Sequence, residues 1–282
     1  MERSASGDGS SAGSAAPGRA TGAQSIERAL SVLSAFIQTR PTLGVAEVAR
    51  VVGLSPSTTH RILRALVAGG YLTQSAATNR YALGRSSLLL GQVAERNLGL
   101  DLARPVLKRL AEESGESVNL GVRDGRVAVV ALRVLSVQPL RLDQPPGTRV
   151  PLDCSAMGKA LLAFSPDPAG EVAALAPFEA RTARTLVDPA EVERELALTR
   201  ERGWSVDDEE SMVGVRCIGA PVLDAGGLAR AAIALQAPSA RMPRSRFPAL
   251  APTIVAAARE IGETMPAGRA LDGGAPAAPL AA

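Results

Sequence analysis

Apolar positions between Val45 and Leu83 follow two helical periods and then two short alternating runs. Ala46, Val48, Ala49 and Val52 mark a short helix that Gly53 ends. Ile62, Leu63, Leu66 and Val67 recur at the three- and four-residue spacing of one buried stripe, which predicts a second helix from Pro56 to about Ala68. Ser55 stands where an N-cap belongs, and Pro56 fits the first turn, where its missing N–H is no loss. The opposite side of this helix carries Ser57, His60, Arg61 and Arg64, with Thr58 at its edge. Helix, tight glycine turn, helix is the helix-turn-helix arrangement, whose second helix enters the major groove of DNA.

Tyr71 to Gln74 and Arg80 to Leu83 have strand character and flank a small polar turn. They read as a wing, with Asn79 and Arg80 placed to touch sugar-phosphate. Upstream, Ile26, Ala29, Leu30, Val32, Leu33 and Phe36 predict a helix from Ser25 to Ile37, with Ser25 as its cap. A winged helix-turn-helix domain over residues 25–84 follows. Residues 85–100 are rich in Leu and Val and are expected to form a linker helix that packs against a second subunit.

From residue 101 the pattern changes. Asp101 is a candidate cap for a helix with Leu102, Val106, Leu107 and Leu110 on its buried stripe, ended by Gly115. Period two then sets in: Ser117 to Val122, the hairpin signal Asp124-Gly125, and Arg126 to Val134, with further strands at Pro139 to Leu142 and Thr148 to Leu152. Asp153 to Ser155 offer caps for a short helix from Met157 to Ala163, and Glu191 to Arg202 predicts another. Trp204 to Val206, Val213 to Leu223 and Ala229 to Leu235 read as strands, and Ala251 to Ile261 as a last helix. Strands paired by hairpins with helices outside them indicate an α+β domain around a mostly antiparallel sheet, spanning residues 101–265. Residues 1–24 and 266–282 are rich in Gly, Ala, Ser and Pro and read as disordered tails.

Charge sharpens the picture. Residues 25–85 hold seven arginines against Glu27 and Glu47, a net charge of +5, while the whole chain is +3. Concentrated positive charge suits a phosphate backbone. Aromatic residues make up only 2% of the chain, which argues against stacking on single strands and leaves double-stranded DNA as the partner. His60 is the only histidine, so the second domain has no imidazole for a Ser-His or Cys-His group, and no catalytic role is expected. Cys154 and Cys217 lack metal-ligand spacing; neither a metal nor a cofactor is expected, and two thiols fit a cytoplasmic protein. No run of apolar residues is long enough to span a membrane. Two rival readings stay open on residues alone: an enzyme whose winged segment binds protein, and a nonspecific chromosome-organising protein.

Three motifs in order narrow these choices. The winged segment, then PLDCSAMGKALLA (Pro151 to Ala163), then GWSVDDEESMVGVRCIGAPVLD (Gly203 to Asp224), resemble the isocitrate lyase regulator (IclR) family of bacterial transcription factors over about residues 25–264. The resemblance implies a C-terminal effector domain of GAF-like topology, dimers that often pair into tetramers, and repression or activation of a catabolic operon switched by a small organic acid or related metabolite; a repressor is expected, and two-fold symmetry predicts a palindromic operator. On the residues themselves, Ser57, Thr58 and Arg61 are expected near base edges, Arg64, Arg80 and Arg85 on phosphates, and His60 on a phosphate or a base edge. The resemblance further implies an effector between the sheet and the N–H groups of Ala156, Met157 and Gly158, lined by Asp207 and Cys217, with Leu142 as apolar wall. Two positions that carry hydroxyls in members binding small keto acids are Ala234 and Gln236 here, a departure that favours a larger or less polar ligand than glyoxylate or pyruvate.

Overall fold

The computed structural model describes residues 21–38 and 40–265. Two compact units divide the chain between Arg85 and Ser86.

In the first unit, α1 (Thr21–Gln38), α2 (Val45–Val52) and α3 (Pro56–Ala68) precede β1 (Leu72–Gln74) and β2 (Tyr81–Leu83). The helix-turn-helix forms as its caps require: Gly53 ends α2 at φ 65°, and the Ser55 hydroxyl accepts the Thr58 N–H at the start of α3. β1 and β2 pair antiparallel, and Leu43 bridges to Tyr81. Val32, Ala35, Leu43, Val48, Leu63, Leu72 and Tyr81 close one core beneath them. α1 begins at Thr21, so Ser25 lies inside the helix and is not its cap, and residues 21–24 are helical instead of tail. The remaining tail residues, 1–20 and 266–282, lie outside the described residues. Ser55→Ala removes the α3 cap and is expected to lower the stability of this unit by ~1 kcal/mol, read as a shift in its urea midpoint with unchanged slope.

α4 (Arg85–Asn97) buries none of its residues; Leu88, Leu89, Leu90 and Val93 are exposed. In the second unit, α5 (Leu100–Ser114) is followed by β3 (Ser117–Asp124), β4 (Val127–Val134) and β5 (Arg149–Pro151), then α6 (Ala156–Ala163), α7 (Pro168–Leu175) and α8 (Pro189–Arg202). β6 (Ser205–Asp208), β7 (Val215–Leu223), β8 (Ala229–Pro238) and α9 (Phe247–Thr264) complete it. The six strands make one antiparallel sheet in the order β5-β4-β3-β8-β7-β6. The α+β reading holds.

Alternation along the central strands sorts side chains to two faces. Val118, Leu120, Ile218, Ala220, Ile233 and Leu235 pack with α5 and α9. Ala232 and Ala234 face the other way, in a core with Met157, Leu161 and Leu162 of α6 and residues of α7 and α8.

Several expected boundaries shift. Pro139 to Leu142 form no strand; they belong to a loop fastened from outside, where Ser117 Oγ donates to the Leu142 carbonyl and Arg241 donates to that of Leu140. Asp101 is the second residue of α5, whose N-cap is Gly99 at φ 69°. α7 was not anticipated, although Asp167 caps it and Pro168 opens it in the manner expected of a helix start. α9 reaches from Phe247 to Thr264, longer than expected, with Pro252 inside it.

Candidate functional site

The first candidate surface is the solvent face of α3. Ser57, His60, Arg61 and Arg64 are exposed and Thr58 is half-buried. The Ser55 hydroxyl, besides capping, donates to Thr58 Oγ1 at 2.9 Å and lies 3.2 Å from Ser57 Oγ. The Ser57 and Thr58 hydroxyls are therefore tied into the first turn, while among the described residues Arg61 and Arg64 enter no ion pair.

The wing differs from expectation at one residue. Arg80 Nη2 is 2.7 Å from Glu47 Oε2 and donates to the Thr42 carbonyl, and Nε donates to Thr42 Oγ1. Glu47 also accepts the Gly44 N–H, and that bond, with Arg80 beside it, holds its carboxyl below the usual range. Arg80 thus fastens the wing to the start of α2 instead of reaching outward, a role set by a partner 33 residues away that no local pattern could show. Asn79, at φ 53°, makes the wing turn, and Arg85 is exposed.

The second site lies on the α6 face of the sheet. Register places Asp207, Cys217, Gln236 and Ser117 in one row across β6, β7, β8 and β3. The adjacent row is Ser205, Gly219, Ala234 and Asn119. Directly opposed residues of antiparallel strands share a face, so Asp207, Cys217, Ala234 and Gln236 come together as expected. Leu142 is half-buried in the loop beside them, where Gln144 accepts from Asn119 Nδ2 at 2.9 Å.

At the start of α6 the expectation is only partly met. Ser155 is the N-cap, and its hydroxyl takes the Gly158 N–H at 3.0 Å, leaving Ala156 and Met157 as the first-turn donors without intrahelical partners. A methyl group on Gly158 would overlap the backbone of Pro151 and Leu152, so this glycine serves a close chain crossing, not ligand approach. Met157 is buried with its sulfur against Gly121, which makes it a core residue.

Sequence patterns missed the buried charge here. Lys159 is 0% exposed, its ammonium 2.5 Å from Glu210 and 4.0 Å from Glu195. Burial pushes the Glu210 carboxyl up to about 7, with Lys159 opposing the rise. Burial likewise raises Asp207, against the hydrogen bonds it accepts from Ser211 and from the Glu210 N–H. Both thiols, Cys154 and Cys217, are pushed up by burial, which keeps them protonated and unreactive. Among the described residues no group of side chains is arranged to hold a metal ion, and no helix is long and apolar enough to cross a membrane. A cleft of about 810 Å³ lies elsewhere in this unit, between the β7–β8 hairpin and the end of α9, and shares none of these residues.

Comparison with known families decides between the open readings. The model of the bacterial transcriptional regulator IclR C-terminal domain matches residues 93–263, and that of the IclR helix-turn-helix domain matches residues 25–76. The chain belongs to the IclR family. Relatives of this IclR-family chain include the HTH-type transcriptional regulator BhcR of Paracoccus denitrificans, 36% identical over 242 residues, covering 85% of this chain and 86% of the relative. The transcriptional repressor IclR of Escherichia coli is 33% identical, covering 84% of this chain and 88% of its own length. Among solved structures, a putative transcriptional regulator from Rhodococcus sp. RHA1 superposes with a TM-score of 0.74 at 30% identity, covering 86% of this chain and 98% of that one. IclR-family relatives of this kind are transcriptional regulators, some of them repressors, and not enzymes. The winged unit is thereby the DNA-binding part of an IclR regulator.

Proposed function

We propose that this chain is a cytoplasmic, sequence-specific repressor of a catabolic operon, switched by a small organic molecule bound on the α6 face of the sheet. The observation that carries the reading is the exposed row His60, Arg61 and Arg64 on a capped helix whose other side is locked into a core. Arg61 reads base edges with Ser57 and Thr58, and Arg64 and Arg85 hold phosphates. Arg80 acts by fixing the wing.

α4 supports a homodimer, which pairs further into a tetramer: a helix exposing Leu88, Leu89, Leu90 and Val93 while burying nothing calls for a second copy. Two-fold symmetry then predicts a palindromic operator with half-sites about 34 Å apart, or a multiple of it. Effector and DNA communicate only if the ligand favours one of two arrangements of the protein.

Fluorescence anisotropy on the chain's own upstream intergenic DNA, against a scrambled duplex and across a salt series, tests this reading. Specific binding is expected to exceed nonspecific binding by ~10³-fold or more. Equal affinity for the two duplexes would leave a nonspecific DNA binder.

A further inference from the structure

The far end of β7 opens a cleft that the α6-face site does not use. β6 begins at Ser205, opposite Gly219, so residues 220–223 of β7 have a neighbouring strand only on the β8 side. The gap past the start of β6 is bounded by Phe164 and Arg200 from the α6 and α8 side, and by Val255, Gly262 and Met265 from α9 and its end. Gly262 permits the close approach of α9, since a Cβ there would stand 2.7 Å from the Leu223 carbonyl oxygen. The resulting space, about 810 Å³ with mostly apolar walls, has the size and character of a small-molecule site.

Its polar groups are unevenly matched. Arg200, Arg230 and Arg259 bring guanidinium groups to the cleft, against the carboxyls of Asp224 and Glu263. Asp224 is engaged within the hairpin turn, where its Oδ1 accepts the Gly226 N–H at 2.8 Å and the Leu228 N–H at 3.1 Å. Glu263 lies 3.5 Å from Arg259 in a largely exposed pair, of the kind that contributes little. Arg200 is answered by neither. Its guanidinium lies 5.6 Å from the centre of the Phe164 ring and donates to the Ala163 carbonyl at 3.1 Å, and among the described residues it enters no ion pair. Phe164 is itself fixed, since its carbonyl accepts the Ala229 N–H at 3.0 Å. Arg202 makes the contrast on the same helix: it lies over Trp204 and also holds Glu195 at 2.7 Å. Stacking on an aromatic face positions a guanidinium while leaving its charge and most of its fork of donors for another group.

We propose that this cleft is a second ligand site, for a small carboxylate carried on an apolar ring system, with the carboxylate on the fork of Arg200 and the rings against Val255 and Met265. A guanidinium already held in place gives a carboxylate paired, charge-assisted hydrogen bonds. The apolar walls favour removal of the ring system from water. The site shares no residue with the α6 face and stands without it, so the chain has a place for a second chemical input.

Calorimetric titration of the full chain with 2-naphthoate, the neutral 2-naphthamide and the cationic 2-naphthylmethylammonium tests this. 2-Naphthoate is expected to bind at least ~10-fold more tightly than the amide, and the ammonium more weakly than either. Arg200→Gln, at an exposed position, is expected to lower naphthoate affinity at least ~10-fold and to leave the amide unchanged. Arg202→Gln removes the same charge from the same helix end and is expected to leave naphthoate affinity as it was. Hydrogen exchange locates the ligand: with 2-naphthoate bound, backbone amides of residues 220–226 and 259–265 are expected to slow, and those of residues 153–158 to stay as they are. Absence of naphthoate binding, an amide bound as tightly as the acid, equal losses in the two arginine variants, or protection confined to residues 153–158 would each overturn the proposal.

Discussion

Replacing Lys159 with alanine is expected to destabilise the C-terminal unit by about 3–5 kcal/mol near pH 8, because it leaves the Glu210 carboxylate buried without its counter-charge. The loss shrinks toward about pH 5. The Glu210 carboxyl, ordinarily near 4.5, is pushed up to about 7 in the folded chain by burial. A carboxyl whose folded value is raised contributes stability that is complete below its unfolded value and is lost as pH rises through the folded one. In the wild type this group therefore weakens the fold across the interval from about 4.5 to about 7. Without Lys159 the rise is larger, since the ammonium was opposing it, and the pH dependence steepens. Urea titrations of both proteins at several pH values check this. The double variant Lys159→Met with Glu210→Leu is expected to recover most of the loss, since apolar side chains of similar volume can replace a buried pair. A Lys159→Ala deficit independent of pH would mean that lost packing, and not an orphaned charge, is the cause.

Arg61→Ala is expected to lower affinity for the operator by about 1–3 kcal/mol, roughly 5- to 150-fold, if its guanidinium grips a guanine edge. Binding to a scrambled duplex should change little. Arg64→Ala should instead weaken both duplexes alike and reduce the salt dependence, as loss of a phosphate contact does. Identical behaviour of the two variants would remove Arg61 from base reading.

The winged unit was legible because its signals are local. Ser55, Pro56 and Gly53 act within one turn, and the stripe of Ile62, Leu63, Leu66 and Val67 needs only helical spacing. The sheet of the second unit was legible from alternation and the Asp124-Gly125 turn. What escaped depends on distant partners. The loop after β4 is held by Ser117, Asn119 and Arg241, which are 25 to 101 residues away from the positions they bind. Arg80 looked like an outward cation until Glu47 and Thr42 were beside it. Asn119 lay in a strand like any other alternating polar residue, and only pairing with β8 sets it beside Gln236. Lys159 lies in a motif implied to meet the effector, yet its charge is answered from within the protein.

The two faces of the central strands also bear on how the sheet finds its pairing. On β3, β7 and β8 one face carries Val118, Leu120, Ile218, Ile233 and Leu235, and the other carries Asn119, Cys217 and Gln236. Sliding β3 or β8 by one residue would drive an amide into the apolar layer and turn the branched side chains toward polar groups. Residues whose unpaired atoms cost the native state stability thus penalise the misaligned states more heavily, and strand alignment is written in these few positions.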